Sequence, residues 1–168
     1  MSEQHRTLVL LRHAKSAYPE GVADHDRPLA ARGVREAALA GEWLRANVPA
    51  IDSVLCSTAT RARETLAHTG IDAPVRYLDR LYGATPGTVI ELVNQVSEDV
   101  TTLLVIGHEP TISETAIILA GNEDTDTAAL EQISVKYPTS GIAVLRVADS
   151  WEQFEPNGAA LVSFHVPR

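Results

Sequence analysis

Four short apolar runs rich in β-formers, residues 7–11, 53–56, 75–77 and 103–106, alternate with longer stretches of helical periodicity, and that alternation narrows the fold sharply. The apolar residues are consecutive rather than spaced by two, as in Leu8-Val9-Leu10-Leu11, so each run is expected to be a strand buried on both faces of a parallel sheet. Residues 31–46 place Val34, Ala37, Ala38, Gly41 and Leu44 on one side and charges on the other, the period of an amphipathic helix, bracketed by Pro28 and Pro49. Further helices are expected at about 60–68, 88–96 and 112–119. Past an acidic, Thr-rich loop at 121–127, Asp124 or Thr125 is placed to cap a short helix reaching Gln132. Two β-rich runs, 141–147 and 159–166, flank a polar stretch and suit a closing hairpin at the sheet edge. The expected class is α/β, a three-layer α/β/α sandwich with a mostly parallel central sheet and an antiparallel edge. With 168 residues and 45% apolar content, a single domain over 1–168 is expected.

A net charge of −8 argues against a nucleic-acid partner, whose phosphates are held by clustered Lys and Arg. No run approaches the roughly 20 apolar residues that span a bilayer, so no membrane partner is expected. The single cysteine, Cys56, reads as core, and without an export-type leader the expected location is the cytoplasm. The six histidines include no pair at a spacing of three or four, so neither a metal nor another cofactor is expected.

Basic residues stand just beyond three of the expected strands: Arg12-His13-Ala14-Lys15-Ser16, then Ser57 to Thr65 containing Arg61, then Gly107-His108-Glu109-Pro110. Parallel strands of one sheet carry all three to the same edge, where ligands of open α/β sheets bind. Two arginines and two histidines there suit a phosphoryl group, with guanidinium forks on its oxygens and a histidine to attack phosphorus. The hydroxyl residues before Arg61 are placed to cap its helix, and an arginine in that first turn makes sense with an anion between it and the free amides. Arg63 is expected at the surface, and Trp151, in the polar stretch, is a candidate exposed contact with a partner. Tyr82 is a candidate for the entrance, and the loop of His25 is placed to overhang the site.

These motifs, Arg-His-x-x-Ser, Ser-x-x-x-Arg-Ala-x-x-Thr and a late Gly-His, resemble in type and order the histidine phosphatase superfamily, with its phosphoglycerate-mutase-like fold. Asp26-Arg27-Pro28-Leu29 with Arg32-Gly33 is similar to the small SixA-type branch, whose members act on phosphohistidine in proteins. The resemblance implies a metal-independent phosphatase in which His13 is the nucleophile, Arg12, Arg61 and His108 bind the phosphoryl group, and Ser16 is a further phosphate-binding position. The implied partner is a phosphorylated protein or a small phosphorylated metabolite. Ala14 stands where many relatives have glycine. Many also have a glutamate acid shortly after the third strand, where this chain reads Leu78-Asp79-Arg80-Leu81-Tyr82-Gly83. An alkoxide must be protonated as it departs, whereas imidazole, with a pKa of about 6.5, leaves far more readily. The missing glutamate therefore favours phosphohistidine; if an acid is needed, the candidates are Glu109, Asp79 and Glu20. The alternatives are a phosphatase of small esters such as sugar phosphates or nucleotides, and a non-catalytic phosphoprotein-binding module, against which the intact Arg12, His13, Arg61 and His108 argue.

Overall fold

A computed structural model of the protein describes residues 5–168. Its six strands, β1 (Arg6–Arg12), β2 (Ser53–Ser57), β3 (Val75–Leu78), β4 (Thr102–Gly107), β5 (Ile142–Val147) and β6 (Ala159–His165), form one sheet in the order β3-β2-β4-β1-β5-β6. The first four run parallel, and β5 and β6 close one side as an antiparallel pair. Leu8 and Leu10 of β1 face the helices α3 (Pro86–Asn94), α4 (Thr111–Leu119) and α5 (Thr127–Val135), meeting Val89, Ile112 and Ile133 among others. Val9 and Leu11 face α1 (Ala31–Asn47) and α2 (Thr60–Thr69), packing with Leu44 and Leu66. The three-layer α/β/α sandwich expected from the apolar runs is thus observed. Each fully buried leucine contributes about 1.5–3 kcal/mol relative to exposure. Among the described residues, no helix is long and apolar enough to cross a membrane.

Helix boundaries differ from expectation where local chemistry overrides periodicity. Helix α3 starts at Pro86 because Thr85 accepts a hydrogen bond from the Thr88 amide and proline suits the first helical position. Helix α5 is capped by Asp126, not Asp124 or Thr125, and runs on to Val135. Helix α2 has Ala59 at its N-cap with no side-chain cap; the expected hydroxyls are engaged elsewhere. Trp151 is fully buried, with Nε1 donating to the Val100 carbonyl, so it is core rather than a partner contact. Cys56 is core as expected, and burial pushes its thiol up to about 12. Trp43 packs on helix α1 and stacks on His165 with ring centroids 4.7 Å apart.

The winding of the sheet positions the site. Helix α1 follows β1 onto one face while α4 follows the adjacent β4 onto the other, so the chain parts between their carboxyl ends and leaves a crevice. Gly33, in the first turn of α1, keeps the wall of that crevice tight: an added Cβ would lie 2.1 Å from the Lys15 carbonyl oxygen, two residues past His13.

Candidate active site

All three basic motifs arrive at this crevice. The His13 amide donates to the Gly107 carbonyl at 3.0 Å, and the rings of His13 and His108 lie 5.1 Å apart. The hydroxyl residues of the second motif do the joining. Thr65 Oγ1 accepts from the Ala14 amide and donates to the Arg61 carbonyl, pinning the loop after β1 to helix α2. Ser57 Oγ accepts from the Ala59 amide and pairs with His108 Nε2 at 2.8 Å. Roles for Ser57 and Thr65 escape sequence reasoning because both are long-range contacts.

His13 is 7% exposed, and its Nδ1 lies 2.7 Å from the Ala14 carbonyl oxygen. A carbonyl only accepts, so Nδ1 carries the proton and Nε2 keeps its lone pair. Burial, and after it the like charges of His108, Arg61 and Arg12, lowers the His13 pKa to about 3 against the opposing hydrogen bond to Ala14. Desolvation is the larger cause. His108 is held neutral in the same way, at about 4, by burial and then by Arg61. Any donation from His108 therefore comes from a neutral ring. If the Ser57 hydroxyl donates to Nε2, the proton lies on Nδ1, which is buried and has no partner.

Arg12 donates from Nη1 to the Tyr137 carbonyl, while its Nε is buried and unpaired. Arg61 donates from Nη1 and Nη2 to the carbonyl and carboxylate of Asp24, and its Nε is likewise buried and unpaired. Arg12 Nε and Arg61 Nε, joined by His108 Nδ1 in the Nδ1-protonated tautomer, thus belong to residues lining one site. Buried donors are normally satisfied, and the residues that carry these line the cleft, where a phosphoryl group would suit the arginine cations.

The cleft, about 210 Å³, is lined by Arg12, His13, Ser16, Arg61 and His108, and also by Lys15, Tyr18, Arg27, Glu109 and Thr139. Sequence reasoning passed over Arg27 and Asp24 as individual site residues. Arg27 donates to Ser16 Oγ at 2.6 Å and to Asp24 Oδ1, and stacks over Tyr18. Asp24 thus bridges two arginines and accepts from the Tyr82 hydroxyl. Tyr82 and then Arg27 and Arg61 hold its carboxyl well below the usual range. The signal lay in Asp26-Arg27-Pro28-Leu29, which named the segment but not a partner for Arg27; Thr139, in the loop before β5, carried none.

Of the three acid candidates, only Glu109 lines the cleft, and its Oε1 accepts from the Ser113 amide. Asp79 is exposed and accepts from Thr58, which also pairs with His25 beside Tyr82. Glu20 is exposed and lines neither this cleft nor the hollow beside it. Arg63 is exposed as expected and stacks over Tyr77. Larger hollows beside Leu44 and Ile71 and beside Val135 and Phe164 hold no such convergence of cations.

The chain is similar to several known proteins in sequence and in fold. An uncharacterized protein of Mycobacterium tuberculosis is 72% identical over 158 residues, 94% of this chain and 100% of that protein. A solved structure from Nakamurella multipartitia, a candidate phosphohistidine phosphatase SixA by its name, superposes with a TM-score of 0.89 at 42% identity, over 97% of this chain and 96% of that one. One from Agrobacterium tumefaciens, named in the same terms, gives 0.77 at 29% identity over 96% and 98%. Residues 8–100, with Arg12, His13 and Arg61, match the family model of the histidine phosphatase superfamily (branch 1), and His108, beyond that match, lies against His13 in space. By sequence and by fold, the chain belongs to the histidine phosphatase superfamily.

Proposed function

We propose that this phosphatase hydrolyses phosphohistidine in proteins through a phosphorylated His13. The observation that carries the reading is the His13 ring, its Nδ1 proton committed to the Ala14 carbonyl and its Nε2 lone pair kept unprotonated in a cleft shared with Arg12, Arg61 and His108. In the first step Nε2 forms a bond to phosphorus as the bond to the substrate's imidazole nitrogen breaks, and that nitrogen takes a proton from solvent. In the second, water oxygen attacks phosphorus, the bond to Nε2 breaks, and inorganic phosphate leaves with neutral His13 restored. Arg12, Arg61 and His108 hold the phosphoryl oxygens throughout, their donors preorganised for the charge that spreads over them.

Phosphohistidine is favoured because neither step demands a strong acid for the leaving group, and Glu109 is engaged with the Ser113 amide in the first turn of α4. The second reading, hydrolysis of small phosphate esters, draws on the same residue, since Glu109 lines the cleft. The proposed setting is the cytoplasm, in keeping with a lone, buried cysteine. Rapid quenching during turnover of a phosphohistidine peptide should trap acid-labile, base-stable label on His13. Label on a serine or an aspartate would rule the mechanism out.

The His13 pKa predicts an unusual pH response. An ordinary histidine would be half-protonated near pH 6.5. His13 should instead keep its neutral imidazole nitrogen shifts, with the proton on Nδ1, down to about pH 5. Stability follows from the same shift. Between pH 3 and 6.5 the unfolded chain binds protons that folded His13 refuses, and His108, lowered to about 4, adds to this. Their contribution is fully present above pH 6.5 and is lost as pH falls, so the melting temperature should drop between pH 7 and pH 5. Half-protonation of His13 near pH 6.5 would contradict the prediction.

A further inference from the structure

The cleft is divided by charge. Its inner part is lined by Arg12, Lys15, Arg27 and Arg61 against one acid, Glu109. A second hollow of about 550 Å³ adjoins it along Arg61, His108 and Glu109, and is lined by Asp24, Glu109, Glu114 and Tyr82. Arg61 is the one cation among the residues lining that hollow, and both its terminal nitrogens are turned to Asp24.

The unpaired donors Arg61 Nε and His108 Nδ1 belong to residues more than nine-tenths buried, on the wall the two hollows share. A phosphoryl group drawn to the arginines fills the cationic part, and the rest of the substrate has the larger, acidic hollow beside it. A second phosphate, as on a nucleotide or a bisphosphorylated sugar, would meet three carboxylates there and be repelled. A lysine or arginine would be attracted. The net charge of −8 draws a basic partner from a distance as well.

We propose that the substrate carries its phosphohistidine within a basic segment, selected by the acidic hollow of Asp24, Glu109 and Glu114. This rests on the phosphohistidine reading above and adds the chemistry of the flanking residues to it. The test uses three phosphohistidine peptides of one length, flanked by Lys, by Ser or by Glu. Values of kcat/KM should fall in that order, with about tenfold between the Lys and Glu peptides, and the spread should shrink when ionic strength is raised to about 0.5 M.

Glu114 is exposed in the first turn of α4, so its charge can be changed without opening the core. Glu114→Gln should reduce the Lys-to-Glu ratio, and Glu114→Lys should cut it several-fold. Equal rates for all three peptides would overturn the proposal and leave the phosphohistidine reading intact. Turnover of p-nitrophenyl phosphate with no turnover of any peptide would overturn that reading and this proposal with it.

Discussion

Replacing His13 by alanine should lower kcat on the order of 10⁵-fold or more, the scale seen when a covalent nucleophile is deleted from a preorganised site. No neighbour is placed to substitute, because His108 Nε2 is engaged with Ser57 and the arginines have no lone pair to offer. The loss should fall on chemistry rather than on binding. Arg12, Arg61 and His108 of the cleft are untouched by the substitution, so the affinity for inorganic phosphate should change by less than about tenfold. Folding should survive too: the bonds that set this loop, from the Ala14 amide to Thr65 and from the residue 13 amide to Gly107, do not use the imidazole. Steady-state kinetics beside phosphate titration and far-UV circular dichroism checks each part. A His13→Ala enzyme retaining a few per cent of activity would mean that water attacks the substrate directly.

What the sequence discloses about this site follows from which contacts are local. Residues 8–11 read as a doubly buried strand because the evidence is the residues themselves, and parallel strands share a direction, so Arg12, Arg61 and His108 could be brought to one edge without a structure. The faces on which the helices lie, and hence the crevice between β1 and β4, depend on winding that periodicity does not report. The proton on Nδ1 of His13 depends on a turn that brings the Ala14 carbonyl within 2.7 Å. Asp24, Tyr82 and Arg61 come from three separate segments, and only the folded chain shows that they form a chain of contacts. Trp151 misled for a related reason. Its polar neighbourhood implies exposure, yet Asn94 satisfies the Trp151 and Phe154 carbonyls and Glu98 the Trp151 and Glu152 amides, which lets the indole be buried.

Arg61→Ala should cost about 10²–10³-fold in kcat, the usual loss when one preorganised donor is removed from a developing charge. The wider consequence concerns Asp24. Its carboxylate side chain is 55% exposed, so the ion pair with Arg61 contributes little stability, and its role is to aim the guanidinium. With Arg61 gone, Asp24 stays ionised through Tyr82 and Arg27 and faces an incoming phosphoryl group with no cation between them. Some of the deficit should then be repulsion, visible in KM and removable. Adding Asp24→Asn to Arg61→Ala should recover about tenfold in kcat/KM, whereas Asp24→Asn alone, which releases a guanidinium from its aim, should slow the enzyme. A change that harms the wild type and helps the variant is the mark of coupled residues, and a double-mutant cycle measures it. Strictly additive losses would show that Asp24 does not act on the substrate through Arg61, and the acidic hollow would then have to select its ligand without it.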